Sequence, residues 1–493
     1  MTGRRAILAS CAVAACAAAL LYLPTVRFGF AYDDASVVET HPQVTGHLWG
    51  AILTSPYHVG NDVRVQTGAY RPLTIASLAA NHAVSGLRPW SYHLVNVLLH
   101  ALAAALVALV AVELGLPPGA GLVGGLAFAL HPVHVEAVAN VAGRAELLST
   151  VLALVALIAY TRARLVALAL FLGLALLAKE NVVTVFGVVA LWEALRPTRT
   201  RKAAMPLLAA TVPIAVYLAS RFAVLGGLGL APGAVTAIEN PVVGLSPVSH
   251  VATVLAVFGR AASLVLTPVR LSPDYGFAEI VPSSSPLQPG PLVGGVLFLG
   301  LLALIAFCWR RAPRVAFLLA AMLATYAIVS NAFVIIGTVL GDRLMYLPSV
   351  FTCILFGLAA SAAAGRIGRL ATAAGVGAIL VAFAARSATY APMWRDDATL
   401  FEYAARVAPR SVRALGGWGG VLAERGRLDD ARAVLDRAVA IAPDFIPNRL
   451  NRGAAALSAG DLDAAEGDAR RVLELEPGNA AAKRLVEAVA GRR

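Results

Sequence analysis

The feature that most constrains this chain is a succession of apolar stretches, each close to the roughly 17 to 25 residues a helix needs to cross a bilayer. They run at about 6–23, 93–113, 119–138, 145–160, 165–178, 181–195, 205–222, 291–308, 315–336, 344–362 and 368–385. Several are short and rich in Ala and Gly, as closely packed membrane helices are. Composition agrees, since 59% of the 493 residues are hydrophobic and 14% charged, too apolar for an ordinary soluble domain. The expected fold is therefore an all-α, polytopic membrane bundle of about eleven spans.

The net charge of +12 does not point to nucleic acid, because the basic residues fall in short clusters between apolar stretches. Arg4/Arg5, Arg162/Arg164, Arg196 to Lys202, Arg310 to Arg314 and Arg366/Arg369 read as cytoplasmic turns. Eleven spans place every one of these clusters on the same side if the stretch from His250 to Pro268 lies along the outer interface. Arg260 interrupts that stretch, and arginine at mid-bilayer costs about 2.5 to 3.5 kcal/mol on insertion scales. Loops 24–92 and 223–290 and everything after 386 are then outside. Ala6 to Leu23, following Arg4 and Arg5 without a clean small-x-small site, reads as an uncleaved first span. Cys11, Cys16, Cys308 and Cys353 lie in or beside apolar segments without ligand spacing, so they imply neither a disulfide framework nor a zinc site.

Near Trp394 the chain becomes charged and helix-patterned. Gly426, Leu428, Ala431 and Pro443 recur 34 residues later as Gly460, Leu462, Ala465 and Pro477. That is the period of tetratricopeptide repeats, in which paired helices bury small residues and a proline closes the second helix. Asp396 to Pro409 supplies the second helix of an earlier partial unit, giving a short α-solenoid that leans on the bundle. Two domains are expected, residues 1–390 in the membrane and 391–493 as a repeat domain on the outer side.

Ionisable residues at span ends are the candidates for chemistry, because charge near the bilayer is costly. Asp33 and Asp34 stand about ten residues beyond the first span and suit a general base with an orienting neighbour, although spacing alone favours a solvated turn or helix cap. His131 and His134 share a face if their stretch is helical, with Glu136 pointing elsewhere. A proline inside His-x-x-His makes hydrogen bonding to a phosphate a better reading than a metal site. Arg144 and Glu146, Lys179 and Glu180, and Asp342 and Arg343 complete a set of cations and carboxylates at outer ends, a pattern that suits a phosphate leaving group. Arg71 and the aromatics Tyr70, Trp90 and Tyr92 flank an amphipathic segment along which a lipid carrier could arrive.

These residues resemble a known family. The Tyr32-Asp33-Asp34 entry, Tyr70-Arg-Pro-Leu-Thr74, His93-Leu-Val-Asn-Val-Leu-Leu-His100, His131-Pro-Val-His-Val-Glu136 with Gly143-Arg-Ala-Glu146, Lys179-Glu180, and Arg343-Leu-Met-Tyr-Leu-Pro-Ser349 occur in order, before the trailing repeats. Together they are similar to the transmembrane and tetratricopeptide repeat O-mannosyltransferase family, within the GT-C glycosyltransferases that use lipid-phosphate sugars. The resemblance implies a GT-C fold, a polyprenyl- or dolichyl-phosphate sugar donor, and one Asp of the Asp33/Asp34 pair as catalytic base. It also implies that Arg71, His131, His134, Glu136, Arg144, Glu146, Lys179, Glu180, Asp342 and Arg343 hold the carrier phosphate and substrate. Richness in Ala, Arg and Gly suggests a bacterial source, hence a polyprenyl carrier, the inner membrane and a periplasmic site. The expectation is transfer of a sugar, mannose first, to a hydroxyl acceptor such as a protein Ser or Thr bound through the repeats, with no cofactor and no metal. The alternative is a non-enzymatic scaffold for envelope assembly. A transporter would need polar groups at mid-span, whereas these crowd one face.

Overall fold

The computed structural model describes residues 3–58, 68–195, 204–229 and 235–493, and within them every regular element is helical, with no strand. Helix α1 (Gly3–Tyr22) enters the bundle, and the loop after it carries the short α2 (Pro42–Thr45) and then α3 (Pro72–Ser85). Next come α4 (Pro89–Glu113), α5 (Pro118–Leu130), α6 (Val135–Ala139), α7 (Arg144–Thr161), α8 (Leu165–Ala178), α9 (Val185–Leu195) and α10 (Ala204–Leu225). The second half holds α11 (Pro247–Leu266), α12 (Pro289–Arg311), α13 (Pro313–Ala327), α14 (Tyr346–Arg366) and α15 (Arg369–Tyr390). Six further helices follow: α16 (Asp397–Val407), α17 (Val412–Glu424), α18 (Leu428–Ile441), α19 (Ile446–Ala459), α20 (Leu462–Leu475) and α21 (Ala480–Ala490).

Among the described residues, eight helices are long and apolar enough to cross a membrane, and a ninth span forms if α5 and α6, bent by 50° at Pro132, count as one. Helices α8 and α13 are apolar but shorter. The chain is a multi-pass membrane protein. The basic cluster from Arg196 to Lys202 lies outside the described residues.

Small residues decide how closely the central helices approach. Gly121 and Gly125 of α5 face the Ala108 and Ala104 carbonyls of α4, and Gly124 faces the Cys353 carbonyl of α14. On α14, Gly357 lies against the Ala120 carbonyl, close enough that a Cβ would collide with backbone. Without a strong hydrophobic drive between helices in lipid, this backbone contact is a principal source of association. Gly357→Ala should therefore lower the melting midpoint in detergent by several degrees, overpacking costing about 1–3 kcal/mol. Gly365→Ala, on the same helix with open space around it, should leave the midpoint unchanged.

Two ends of the bundle can be told apart. At one, Arg162 pairs with Glu113 at 2.6 Å and Arg314 lies beside Gly115, so basic turns gather there. At the other lie the starts of α7 and α14 and the ends of α5 and α8. Helix α11 satisfies the length and hydropathy test for a span. Its two extremities nevertheless join that second end, since His250 Nε2 donates to the Asn331 carbonyl at 2.7 Å and Val265 accepts from His131 Nε2 at 2.9 Å. It therefore runs across the end rather than through the bundle, and its Arg260 stacks over Tyr275 with 5.5 Å to the ring centroid.

Helix boundaries differ from the sequence expectation in three places. The 315–336 segment is helical only to Ala327, after which turns lead to Asp342. The 181–195 segment opens with a 3-10 turn, Glu180–Thr184, before α9. His131 to Glu136 is not one helix: the residue before a proline is pushed out of the helical region, so His131 is extended (φ −66, ψ 125) and Pro132–His134 form a 3-10 turn.

After α15 the paired helices repeat in register. Helices α17, α19 and α21 start at 412, 446 and 480, and α18 and α20 span 428–441 and 462–475, each 34 residues on. Gly426 and Gly460 take positive φ after α17 and α19, and Ala431 and Ala465 are fully buried where the pairs cross. Arg452 binds both oxygens of buried Asp468 at 2.7 Å each. The array is docked on the bundle: Tyr403 donates to the Leu271 carbonyl at 3.0 Å, Ser411 to Asp274 at 2.6 Å, and the Arg410 amide to Glu279 at 2.7 Å.

Candidate active site

Asp33 and Asp34 have opposite surroundings. Tyr32 adopts φ 59, a left-handed conformation costly for a bulky L residue, and the turn it makes sends the two carboxylates apart. Asp34 is fully buried and accepts from the amides of Ala31 (3.1 Å), Val141 (3.3 Å) and Ala142 (2.7 Å), tying the first loop to the start of α7. Burial pushes its carboxyl up to about 7 against the lowering pull of those amides. Asp33, 41% exposed, lies 3.5 Å from Arg343 Nη1. That nitrogen also donates to Glu136 Oε1 at 2.6 Å, and the Arg343 amide donates to Glu136 Oε2 at 2.8 Å. Glu136 is 1% exposed, so Arg343 bridges a buried carboxylate and an open one.

Two more pairs stand beside this bridge. Arg71 binds Glu180 through two bonds, Nε to Oε2 at 2.9 Å and Nη2 to Oε1 at 2.6 Å, and lies over the Tyr57 ring. Lys179 pairs with buried Glu146, which Asn181 also approaches at 3.4 Å. Burial works to raise the Glu180 carboxyl, but Arg71 outweighs it and holds the group down at about 2. Because that lies below the ordinary 4.5, the pair stabilises the fold above about pH 4.5, and this stability is lost as the pH falls towards 2. Glu180→Gln should consequently show a shallower fall of melting midpoint across this window than wild type.

Five of the expected residues are buried and hydrogen-bonded within the protein. Asp34 is the buried anchor just described. Arg144 is fully buried and donates to Asn96 at 3.0 Å, the Tyr92 carbonyl at 2.8 Å, the Ser77 carbonyl at 3.3 Å and Asn81, so it fastens α3, α4 and α7 together. His131 uses Nε2 on Val265 and Nδ1 on the Val133 amide. His134 donates through Nδ1 to the Phe128 carbonyl and meets the Ser349 hydroxyl, both at 2.8 Å. Asp342 is buried and accepts from Tyr275 at 2.7 Å and Tyr390 at 3.4 Å. Each is a polar group already satisfied inside the protein, which is what burial requires. Asp33, Glu136 and Arg343 form one cluster, Arg71 and Glu180 a second, and Glu146 and Lys179 a third.

Sequence reasoning missed His58. It carries no motif, yet the first outer loop places it within the electrostatic reach of Arg71, Asp33, His41 and Arg343, and its Nδ1 is buried without a hydrogen-bond partner among the described residues. Burial first, and the Arg71 charge second, lower it to about 4. Among the described residues no group of three His, Cys, Asp or Glu side chains has the arrangement of a metal site.

No family model matches the chain. It is 29% identical to the Drosophila melanogaster protein O-mannosyl-transferase Tmtc1 over 84% of this chain and 59% of that protein. It is 24% identical to the Mus musculus protein O-mannosyl-transferase TMTC2 over 85% and 61%, and 38% identical to the Homo sapiens TMTC2 over 29% and 17%. The chain is similar in sequence to these TMTC proteins. It spans about 60% of the length of the first two relatives. A solved structure of the Archaeoglobus fulgidus oligosaccharyltransferase superposes with a TM-score of 0.39 at 14% identity, covering 86% of this chain and 58% of that one.

Proposed function

We propose that this protein is a membrane glycosyltransferase that moves a sugar, mannose first among candidates, from a polyprenyl-phosphate donor to a hydroxyl of a protein Ser or Thr. The observation that carries the reading is Asp33, an open carboxylate 3.5 Å from the Arg343 guanidinium at the bundle end where the ionic pairs collect. The relatives' names as protein O-mannosyl-transferases favour the sugar and the acceptor.

The chemistry is a single displacement. Asp33 takes the proton of the acceptor hydroxyl as its oxygen attacks the anomeric carbon. The bond from that carbon to the donor phosphate breaks, and the lipid phosphate leaves with the electron pair and one added negative charge. Arg343, Arg71 and Lys179 face that charge, each held in orientation by a carboxylate so that little reorganisation is needed during the reaction. Among the described residues Arg343 makes its side-chain bonds to protein through Nη1, and the rest of its fork would serve a phosphate. Attack opposite the leaving group inverts the anomeric centre. The donor is a substrate, and no resident cofactor enters this scheme. The basic turns at the opposite end support a cytoplasmic side there, and so a periplasmic site in a bacterial inner membrane.

The test is transfer of radiolabelled mannose from polyprenyl-phosphate mannose to endogenous acceptors in membranes expressing the chain. Label dependent on the protein supports the reading. No label with this or other polyprenyl-phosphate hexoses, in membranes where the protein is abundant and folded, would sink it in favour of a scaffold.

A further inference from the structure

The helix that follows the bundle reaches into the turn that carries Asp33. Tyr32 donates its amide to Asp397 Oδ1 at 2.7 Å, across 365 positions of sequence. Three residues earlier, Gly29 donates to the Arg395 carbonyl at 2.9 Å. The Tyr32 ring packs edge-on against Trp394 and Phe401, with centroids 6.4 and 6.0 Å apart. Every one of these contacts comes from the segment 394–401, and every one falls on 29–32, directly before Asp33.

Two adjacent aspartates divide the work on α16. Asp396 is the N-cap, accepting from the Thr399 amide at 2.8 Å, and so serves its own helix. Asp397, one position on and turned about 100° around the axis, has no such duty and faces Tyr32. A bulky residue at φ 59 persists only where its surroundings over-determine it. Without that conformation the turn would not send Asp34 inward to the Val141 and Ala142 amides and Asp33 outward to Arg343.

We propose that Asp397 is a positioning residue for the transfer reaction: by holding the Tyr32 amide it fixes the turn that presents Asp33 to Arg343 and to the acceptor hydroxyl. Helix α16 is then a working part of the active site, beyond any docking role of the repeats. This rests on Asp33 as the base.

The experiment compares full-length wild type, Asp397→Ala, Asp397→Asn and, as a control that loosens the array elsewhere, Asp461→Ala, which removes the N-cap of α20. Hydrogen exchange comes first because it does not depend on activity. Exchange across 29–36 should rise at least about tenfold in Asp397→Ala. It should stay at the wild-type level across 72–85, and in Asp461→Ala. Kinetics in polyprenyl-phosphate mannose should show Asp397→Ala losing about 10- to 100-fold in kcat. The donor KM should hold within about twofold, since only the base is displaced. Asp397→Asn keeps an oxygen acceptor and should retain at least about a third of wild-type kcat. Unchanged exchange across 29–36 overturns the inference, as does a wild-type kcat in Asp397→Ala. So does a general loss, in which donor binding and melting midpoint fall together with kcat. A wild type inactive with every donor defeats the transferase reading instead, and the exchange result alone then decides whether the clamp exists.

Discussion

Asp33→Asn should lower sugar transfer by about 10²- to 10⁴-fold, the usual contribution of a positioned general base, with donor affinity and melting midpoint near wild type. Asp33 is exposed and one of two carboxylates on Arg343, and its loss leaves Glu136 still paired. The same exchange at Asp34 should act on stability first. Both Asp34 oxygens accept backbone amides, so an asparagine NH₂ would face an N–H donor and leave it unsatisfied, at about 1–3 kcal/mol. Parallel measurement of transfer and thermal unfolding separates the two. If Asp34→Asn loses turnover at wild-type stability while Asp33→Asn keeps it, the assignment of the base is wrong.

Arg343→Met should be damaging twice over. It leaves the 1% exposed Glu136 carboxylate without its cation, and removing one member of a buried pair costs about 3–5 kcal/mol. It also takes away a charge that faces the departing phosphate, worth about 10²- to 10³-fold in turnover for a single preorganised donor. Arg343→Lys keeps a charge beside Glu136 and Asp33 but brings one nitrogen in place of three and so has no second arm for the phosphate; it should recover part of the stability and little of the turnover. The measurements are the unfolding midpoint in detergent and kcat at saturating donor. Full activity in Arg343→Met would remove the Asp33–Arg343–Glu136 bridge from the mechanism.

How much of this was legible in the chain differs by feature. The order of motifs pointed to the TMTC-like relatives, and the 34-residue recurrence matched the helix starts at 412, 446 and 480. The polar groups gathered at one end were also found, because they sit at the ends of apolar segments and apolarity is a property of neighbours in sequence. What those groups do was not found. Arg144, His131, His134 and Asp342 have the residue types of a phosphate site, yet each is consumed by partners inside the fold. Spacing gives the face of a helix; it cannot say that Asn96 waits 48 positions away for Arg144, or Ser349 215 positions away for His134.

By itself, then, the sequence determined that this chain enters a membrane many times, that its charges collect at span ends, and that a helical repeat follows. These properties are local sums over transfer free energy and periodicity. Only the tertiary structure decided which of two adjacent aspartates is open, which cations pair with which carboxylates, and that the turn before Asp33 is held from a helix 365 positions away. Those outcomes depend on burial and on hydrogen-bond partners brought together by packing, and a buried polar group is defined by neighbours that the local sequence does not contain.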